Sequence, residues 1–126
     1  MSMQENAAVA RRVTDAFERA DMQELDRLMA DDVVWHEIGR QEPRRGKAEL
    51  RAAAPGGGEV DYVITGSTHD ILASDDHAIV LVNATATRGG RTFSYRTAEI
   101  YHIRDGKIAE RWAFSDDTAA IAAFFT

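Results

Sequence analysis

The sequence predicts a single α+β domain over residues 1–126, in which helices precede a run of antiparallel strands. A chain of 126 residues has the size of one domain, and no linker or internal repeat divides it. Apolar residues recur at helical spacing near the start of the chain and again at its end. Long β-rich segments joined by short turns lie between these two regions. Helices followed by a run of strands are typical of an α+β fold, with helices over one face of an antiparallel sheet.

Three helices are predicted before the long strands. Residues 4–20 carry apolar side chains at helical spacing, with charged residues on the other side. Asp21 is a suitable N-cap for a second short helix. A strand is predicted over residues 33–38, because Asp31-Asp32 interrupts the helical pattern just before it. A third short helix is predicted over residues 47–54, ahead of a proline and three glycines.

Four long strands and a closing helix make up the rest of the predicted fold. The strands are residues 60–73, 77–88, 91–104 and 107–115. The last two are joined by Asp105-Gly106, a dipeptide favoured in type I′ turns because both central residues need positive φ. Tight turns make successive strands antiparallel neighbours. Residues 117–125 suit a short helix that brings Phe124 and Phe125 onto the core.

The composition excludes several classes of function. The net charge is −6, from 15 basic and 21 acidic residues, which argues against nucleic acid as a partner. The chain has no cysteine, so thiol chemistry and thiolate metal sites are excluded. Histidines at metal-binding spacing and phosphate-binding loops are absent, and we expect neither a metal nor a cofactor. No apolar segment is long enough for a signal core or a membrane span, so we expect no membrane partner and a cytoplasmic location.

Glu99 is the first candidate for chemistry. Successive strand side chains alternate between faces, so Glu99 shares a predicted face with mostly apolar and aromatic residues. These neighbours are Phe93, Tyr95, Thr97, Tyr101 and Ile103. A carboxylate in such surroundings is either held by a partner or kept neutral. Glu99 therefore either acts on a ligand or is a structural carboxylate, held by a helix arginine such as Arg12 or by a tyrosine hydroxyl.

Three segments of the chain carry a resemblance to a known family. They are Asp-Asp-Val-Val-Trp-His at 31–36, Arg-Asp-Gly-Lys-Ile at 104–108, and Trp112-x-x-x-Asp116. With the predicted helices before them, they resemble the SnoaL-like polyketide cyclases. These belong to the nuclear transport factor 2-like superfamily, with ketosteroid isomerase and limonene epoxide hydrolase. The resemblance implies a cone-shaped α+β barrel, whose strongly bent antiparallel sheet and about three N-terminal helices enclose an apolar pocket. It also implies a homodimer formed through the outer face of the sheet.

The resemblance implies three catalytic carboxylates. Glu37 falls where ketosteroid isomerases hold their general-base aspartate, and Glu99 falls near their protonated oxyanion-hole aspartate. Asp116 falls near the catalytic aspartate of the SnoaL-like cyclases and of the epoxide hydrolase. The chain departs from ketosteroid isomerases at Val13, where those enzymes place a tyrosine that donates to the oxyanion, so their specific activity does not transfer.

Each of the other candidates also has a structural interpretation. Glu37 can pair with Arg40 or Arg44 at the mouth of the pocket, and Asp116 or Asp117 can cap the closing helix. The aromatic candidates for the ligand-binding wall are core residues in the alternative interpretation. These candidates are Trp35, Tyr95, Tyr101, Trp112 and Phe114. Strand alternation places Trp112 with Ile108, Glu110 and Phe114, and it leaves open which face of this strand lines the pocket.

We therefore expect a protein with a pocket for a small apolar ligand. If the protein is an enzyme, the chemistry is cofactor-free acid/base catalysis on an apolar carbonyl or polyketide-like compound, as in an isomerase, cyclase or hydratase. Glu37 and Glu99 would exchange protons, and Asp116 would be a second candidate acid or base. The alternatives are a non-catalytic ligand-binding protein and a dimerisation module of the same fold.

Overall fold

A computed structural model describes residues 2–53 and 61–125 of the chain. These residues form four helices and six strands, so the predicted α+β class is confirmed. The helices are α1 (Met3–Glu18), α2 (Met22–Leu28), α3 (Gly46–Ala53) and α4 (Thr118–Phe125). The strands are β1 (Met29–Trp35), β2 (Arg44–Arg45), β3 (Tyr62–Ala73), β4 (His77–Arg88), β5 (Arg91–Arg104) and β6 (Lys107–Ser115).

The six strands form one curved sheet that does not close on itself. Their order is β2-β1-β6-β5-β4-β3, so β2 and β3 are the edges. All neighbouring strands are antiparallel except β1 and β6, which are parallel. The turn between β5 and β6 has positive φ at Asp105 (53°) and at Gly106 (77°), as the Asp-Gly prediction requires. Within the described residues, no helix is both long and apolar enough to span a membrane.

Local signals account for most helix boundaries. Helix α1 begins after Ser2, which forms a reciprocal capping box with Glu5. Asp21 caps α2 as predicted, since its carboxylate accepts a hydrogen bond of 3.1 Å from the Glu24 backbone N–H. Helix α4 is capped by Asp117, whose carboxylate accepts a hydrogen bond of 3.0 Å from the Ala120 backbone N–H. Pro55 and the glycines that follow it lie outside the described residues, as does the predicted start of the strand at residue 60.

The first strand begins four residues earlier and ends three residues earlier than the sequence predicts. It runs from Met29 to Trp35 instead of over residues 33–38. Asp31 and Asp32 were expected to precede the strand, but both lie within it with exposed side chains, and Asp32 pairs with Arg104 at 2.6 Å. Because the strand ends at Trp35, Glu37 lies in the segment that follows it. The sequence prediction for this strand was therefore wrong at both ends.

The core lies between one face of the sheet, here called the inner face, and helices α1 and α2. Paired residues on neighbouring strands point to the same face of a sheet. Val80 of β4, Glu99 of β5 and Ala113 of β6 are paired in this way, so all three lie on the inner face. The most deeply buried members of the core include Val9, Val13, Leu28, Val33, Val80, Tyr101 and Ile108. The opposite side, here called the outer face, bears exposed apolar side chains that include Leu72 and Phe114.

A β-bulge changes the alternation of side chains along β6. The register with β5 shifts so that Ala109 is an additional residue on β6. Ile108 is therefore fully buried in the core, whereas Trp112 and Phe114 lie on the outer face. The predicted grouping of Trp112 with Ile108 was wrong, because simple alternation does not hold across a bulge.

Candidate functional site

Glu99 lies on the inner face of β5 with donors on both carboxylate oxygens. Its side chain is 15% exposed. Oε1 accepts hydrogen bonds from the Tyr101 hydroxyl (3.2 Å) and from Arg111 Nε (3.3 Å), and Arg111 Nη2 lies 3.1 Å away. Oε2 accepts a hydrogen bond of 3.1 Å from the Thr97 hydroxyl. Every one of these groups donates a hydrogen bond to Glu99.

Arg111 holds Glu99 in place from the neighbouring strand. Its side chain is only 11% exposed, and Nη1 donates a hydrogen bond of 2.9 Å to the His36 carbonyl. The guanidinium also lies over the Trp35 ring, 4.5 Å from the ring centroid. Arg111 thereby connects β5, β6 and the end of β1 through one buried cation.

The predicted partners of Glu99 are correct in one case and wrong in the other. A tyrosine hydroxyl, that of Tyr101, does contact the carboxylate. Arg12 does not hold it, because the Arg12 guanidinium pairs with Glu24 of α2 at 2.8 Å. Arg12 therefore binds the second helix, and Arg111 of β6 is the arginine that pairs with Glu99.

Glu37 follows the end of β1 and also pairs with an arginine. Its Oε1 lies 2.6 Å from Arg44 Nε, and the two side chains are 26% and 11% exposed. Of the two arginine partners predicted for Glu37, Arg44 is the one that the structure shows. Burial, and then the charge of Glu37, raises the pKa of Tyr62 of β3.

Three tyrosines of the sheet feel the charge of one or the other carboxylate. Burial, and then the charge of Glu99, raises the pKa of Tyr95 to about 12. The same two causes raise the pKa of Tyr101 well above the usual range. Tyr62 and Tyr95 both pack on the Phe125 ring, with centroids 4.7 and 6.1 Å away. The ring of Phe125 therefore connects Tyr62, which senses the charge of Glu37, with Tyr95, which senses the charge of Glu99.

The aromatic residues predicted to line one pocket are divided between the two faces. Trp35, Tyr95 and Tyr101 lie on the inner face near Glu99. Trp112 lies on the outer face, where its ring stacks on His36 at 5.7 Å, and Phe114 is 61% exposed on the same side. Only the first three belong to a candidate site around Glu99.

Asp116 lies on the outer face, away from Glu99. Its carboxylate accepts hydrogen bonds from the Arg96 backbone N–H (3.2 Å) and from Arg96 Nε (3.3 Å). The backbone hydrogen bond from Arg96 is the main cause that lowers the pKa of Asp116. Asp116 borders an open groove of about 530 Å³, whose lining residues include Thr65, Ser67, Thr85, Ser94, Tyr95 and Arg96. Strand register places the Asp116 side chain on the opposite face of the sheet from Glu99.

A sequence model of the SnoaL-like domain matches residues 10–111, which is most of the chain. The chain belongs to the SnoaL-like domain family. This SnoaL-like domain has no match among functionally curated proteins. Within the residues that the structure describes, no group of three or more histidine, aspartate or glutamate side chains is placed to hold a metal ion.

Several solved structures share the fold of this chain. Bal32a, from a soil-derived mobile gene cassette, is 23% identical with a TM-score of 0.83, and the match covers 98% of both chains. An LEH-like epoxide hydrolase of M. tuberculosis is 17% identical with a TM-score of 0.74, over 90% of this chain and 84% of that one. A ketosteroid isomerase-like protein of Kribbella flavida is 21% identical with a TM-score of 0.72, over 91% and 80%. A nuclear transport factor 2-like protein of Burkholderia pseudomallei also matches, at 19% identity with a TM-score of 0.81, over 97% of this chain and 98% of that one. At these identities the likeness shows the fold alone.

Arg111 is the site residue that sequence reasoning did not single out. A signal was present, because Arg111 stands between Ala109 and Ala113 at strand spacing. A charged residue on a small, apolar strand face is the same anomaly that marked Glu99. Pairing the two required the register of β5 and β6, in which Tyr101 is opposite Arg111.

Proposed function

We propose that this SnoaL-like domain binds a small apolar carbonyl compound at the inner face of its sheet and moves a proton on it without a cofactor. The observation that carries the proposal is Glu99, an ion-paired carboxylate held between aromatic side chains on that face. A carboxylate that is largely shielded from water and fixed by neighbouring groups is suited to proton transfer. Asp116 is not included, because it lies on the outer face.

Oε2 of Glu99 is the proposed proton acceptor. Among the described residues, it accepts a hydrogen bond only from Thr97, whereas Oε1 faces both Tyr101 and Arg111. A carboxylate oxygen has about two lone-pair sites, so Oε2 retains one. In the proposed reaction, the C–H bond next to the carbonyl breaks and its proton moves to Oε2, while the electron pair forms an enolate.

The fate of the enolate decides the class of reaction. Return of the proton from Glu99 to a different carbon isomerises the compound. Attack of the enolate carbon on a second carbonyl group closes a ring, and the new alkoxide takes up a proton. Glu37, held by Arg44 and more exposed than Glu99, is proposed as the second carboxylate that exchanges protons with the ligand or with water.

A deuterium-exchange assay tests this proposal without knowledge of the natural substrate. The protein is incubated in D₂O with cyclohexanone, 2-cyclohexenone and α-tetralone, and loss of the α-proton signals is followed by NMR. We expect exchange about 10²-fold faster than in buffer for at least one ketone. The heat-unfolded protein is the control. Binding of a ketone without exchange would instead support the non-catalytic binding alternative, and absence of both would favour a dimerisation module.

We also propose that the outer face of the sheet forms a homodimer interface. Four of its large apolar side chains are exposed, which are Val63, Leu72, Ile79 and Phe114. Burial of exposed apolar side chains stabilises association. Light scattering at micromolar concentration is expected to give the mass of a dimer, and Phe114→Asp is expected to give that of a monomer. A monomeric mass for the unmodified chain would contradict this proposal.

A further inference from the structure

Tyr95 differs from the other tyrosine beside Glu99 in how its hydroxyl is used. Tyr101 is buried and donates its hydrogen bond to Glu99 at 3.2 Å. Tyr95 is only partly buried, and among the residues that the structure describes its hydroxyl has no hydrogen-bond partner. A phenol without a protein partner, next to a candidate site, is available to a ligand.

The ring of Tyr95 is held by two phenylalanines. It stacks on Phe93, with centroids 5.2 Å apart and planes 19° apart. On another side it meets the Phe125 ring edge to face, at 6.1 Å and 84°. Packing of this kind fixes the direction of the ring and therefore the position of its hydroxyl. The donor is thus positioned before any ligand binds.

The charges around Tyr95 indicate what it can bind. Its hydroxyl lies within electrostatic range of both Glu99 and Arg111, which form one ion pair. Because burial and Glu99 hold the pKa of Tyr95 at about 12, the phenol is protonated at neutral pH and can donate. The paired charges compensate each other, so the site favours a neutral oxygen acceptor over a free carboxylate.

We infer that Tyr95 donates its hydroxyl hydrogen to the carbonyl oxygen of a neutral, apolar ligand bound on the inner face. This inference rests on the proposed function for the ligand class, and it assigns the atom that orients the ligand. It adds a residue to the site, since Tyr95 otherwise serves only as part of the aromatic wall. A hydrogen bond from Tyr95 to the carbonyl oxygen would also stabilise the negative charge that grows on this oxygen when an α-proton is removed.

Tyr95→Phe tests the inference because it removes one oxygen and leaves the ring packing intact. The probe is prodan, a neutral fluorescent ketone whose carbonyl stretching band reports hydrogen bonding. We expect the unmodified protein to bind prodan, and Tyr95→Phe to bind it about three- to tenfold more weakly, the effect of one net hydrogen bond. The infrared carbonyl band of bound prodan is expected at higher frequency in the variant, which a purely structural role would not produce.

Thr85→Val is the matched control, because strand register places Thr85 opposite Ser94 on the outer face, where the substitution removes a hydroxyl. It is expected to leave both the affinity and the carbonyl band unchanged. Equal affinity and an identical band in Tyr95→Phe would overturn the inference, and so would an equal loss of affinity in Thr85→Val. No binding by the unmodified protein would overturn the ligand class and the inference with it. Loss of binding in Tyr95→Phe, in a protein that shows no deuterium exchange, supports this donor while refuting the proposed catalysis.

Discussion

Replacement of Glu99 by glutamine is expected to slow α-proton exchange about 10²- to 10⁴-fold, the contribution of a positioned base. Glutamine has nearly the same shape as glutamate. Its carbonyl oxygen can face Arg111 and Tyr101, and its amide group can donate to the Thr97 hydroxyl. The hydrogen bonds of the site are therefore retained while the proton acceptor is lost. The measurement is the NMR exchange rate of the ketone that the unmodified protein exchanges fastest.

Glu110→Gln is the matched control for this experiment. Glu110 is on the outer face of β6, where its carboxylate lies 2.6 Å from His36 Nε2. The same chemical change at that position is expected to leave the exchange rate close to that of the unmodified protein. A Glu99→Gln variant that binds ketones and exchanges their protons at the original rate would refute Glu99 as the base.

Replacement of Arg111 by leucine is expected to produce the largest loss of stability, about 3–5 kcal/mol in the free energy of unfolding. It leaves the mostly buried Glu99 carboxylate without its cation. It also removes the hydrogen bond to the His36 carbonyl and the contact over the Trp35 ring. Urea denaturation followed by circular dichroism measures the change.

A second substitution separates the ion pair from packing. If the unpaired charge causes the loss, the double variant Arg111→Leu/Glu99→Leu should recover much of the stability, because a paired site can often be replaced by apolar residues. Arg96→Leu provides a comparison on the outer face, where the arginine is 74% exposed and its pair with Asp116 is screened by water. We expect little change there. A loss for Arg111→Leu no larger than for Arg96→Leu would contradict the role assigned to Arg111.

Strand alternation in the sequence predicted only part of the candidate site. Alternation along β5 placed Glu99 among aromatic side chains, and the structure has it on the inner face beside Tyr101. The pattern could not identify Arg111 as its partner, because that contact depends on how β5 and β6 are aligned. It also misplaced Ile108, since one additional residue in β6 reverses the faces on either side of it.

For Asp116, motif spacing suggested a position in the candidate site, but the fold places this residue on the outer face. Its place after the last strand resembles that of a family aspartate. In the structure the backbone N–H of Arg96 binds its carboxylate on the outer face. The face depends on the pairing of Thr97 with Ser115, which puts the next residue on the other side of the sheet.

The sequence by itself determined the α+β class, the order of the elements, the Asp105-Gly106 turn and the anomalous position of Glu99. These features depend on local spacing and backbone preference, which a single segment contains. Only the tertiary structure decided that Glu37 and Glu99 each pair with their own arginine, while Asp116 lies on the opposite face of the sheet from Glu99. Those relations arise from strand register, a β-bulge and the packing of the closing helix, which bring together residues far apart in the chain.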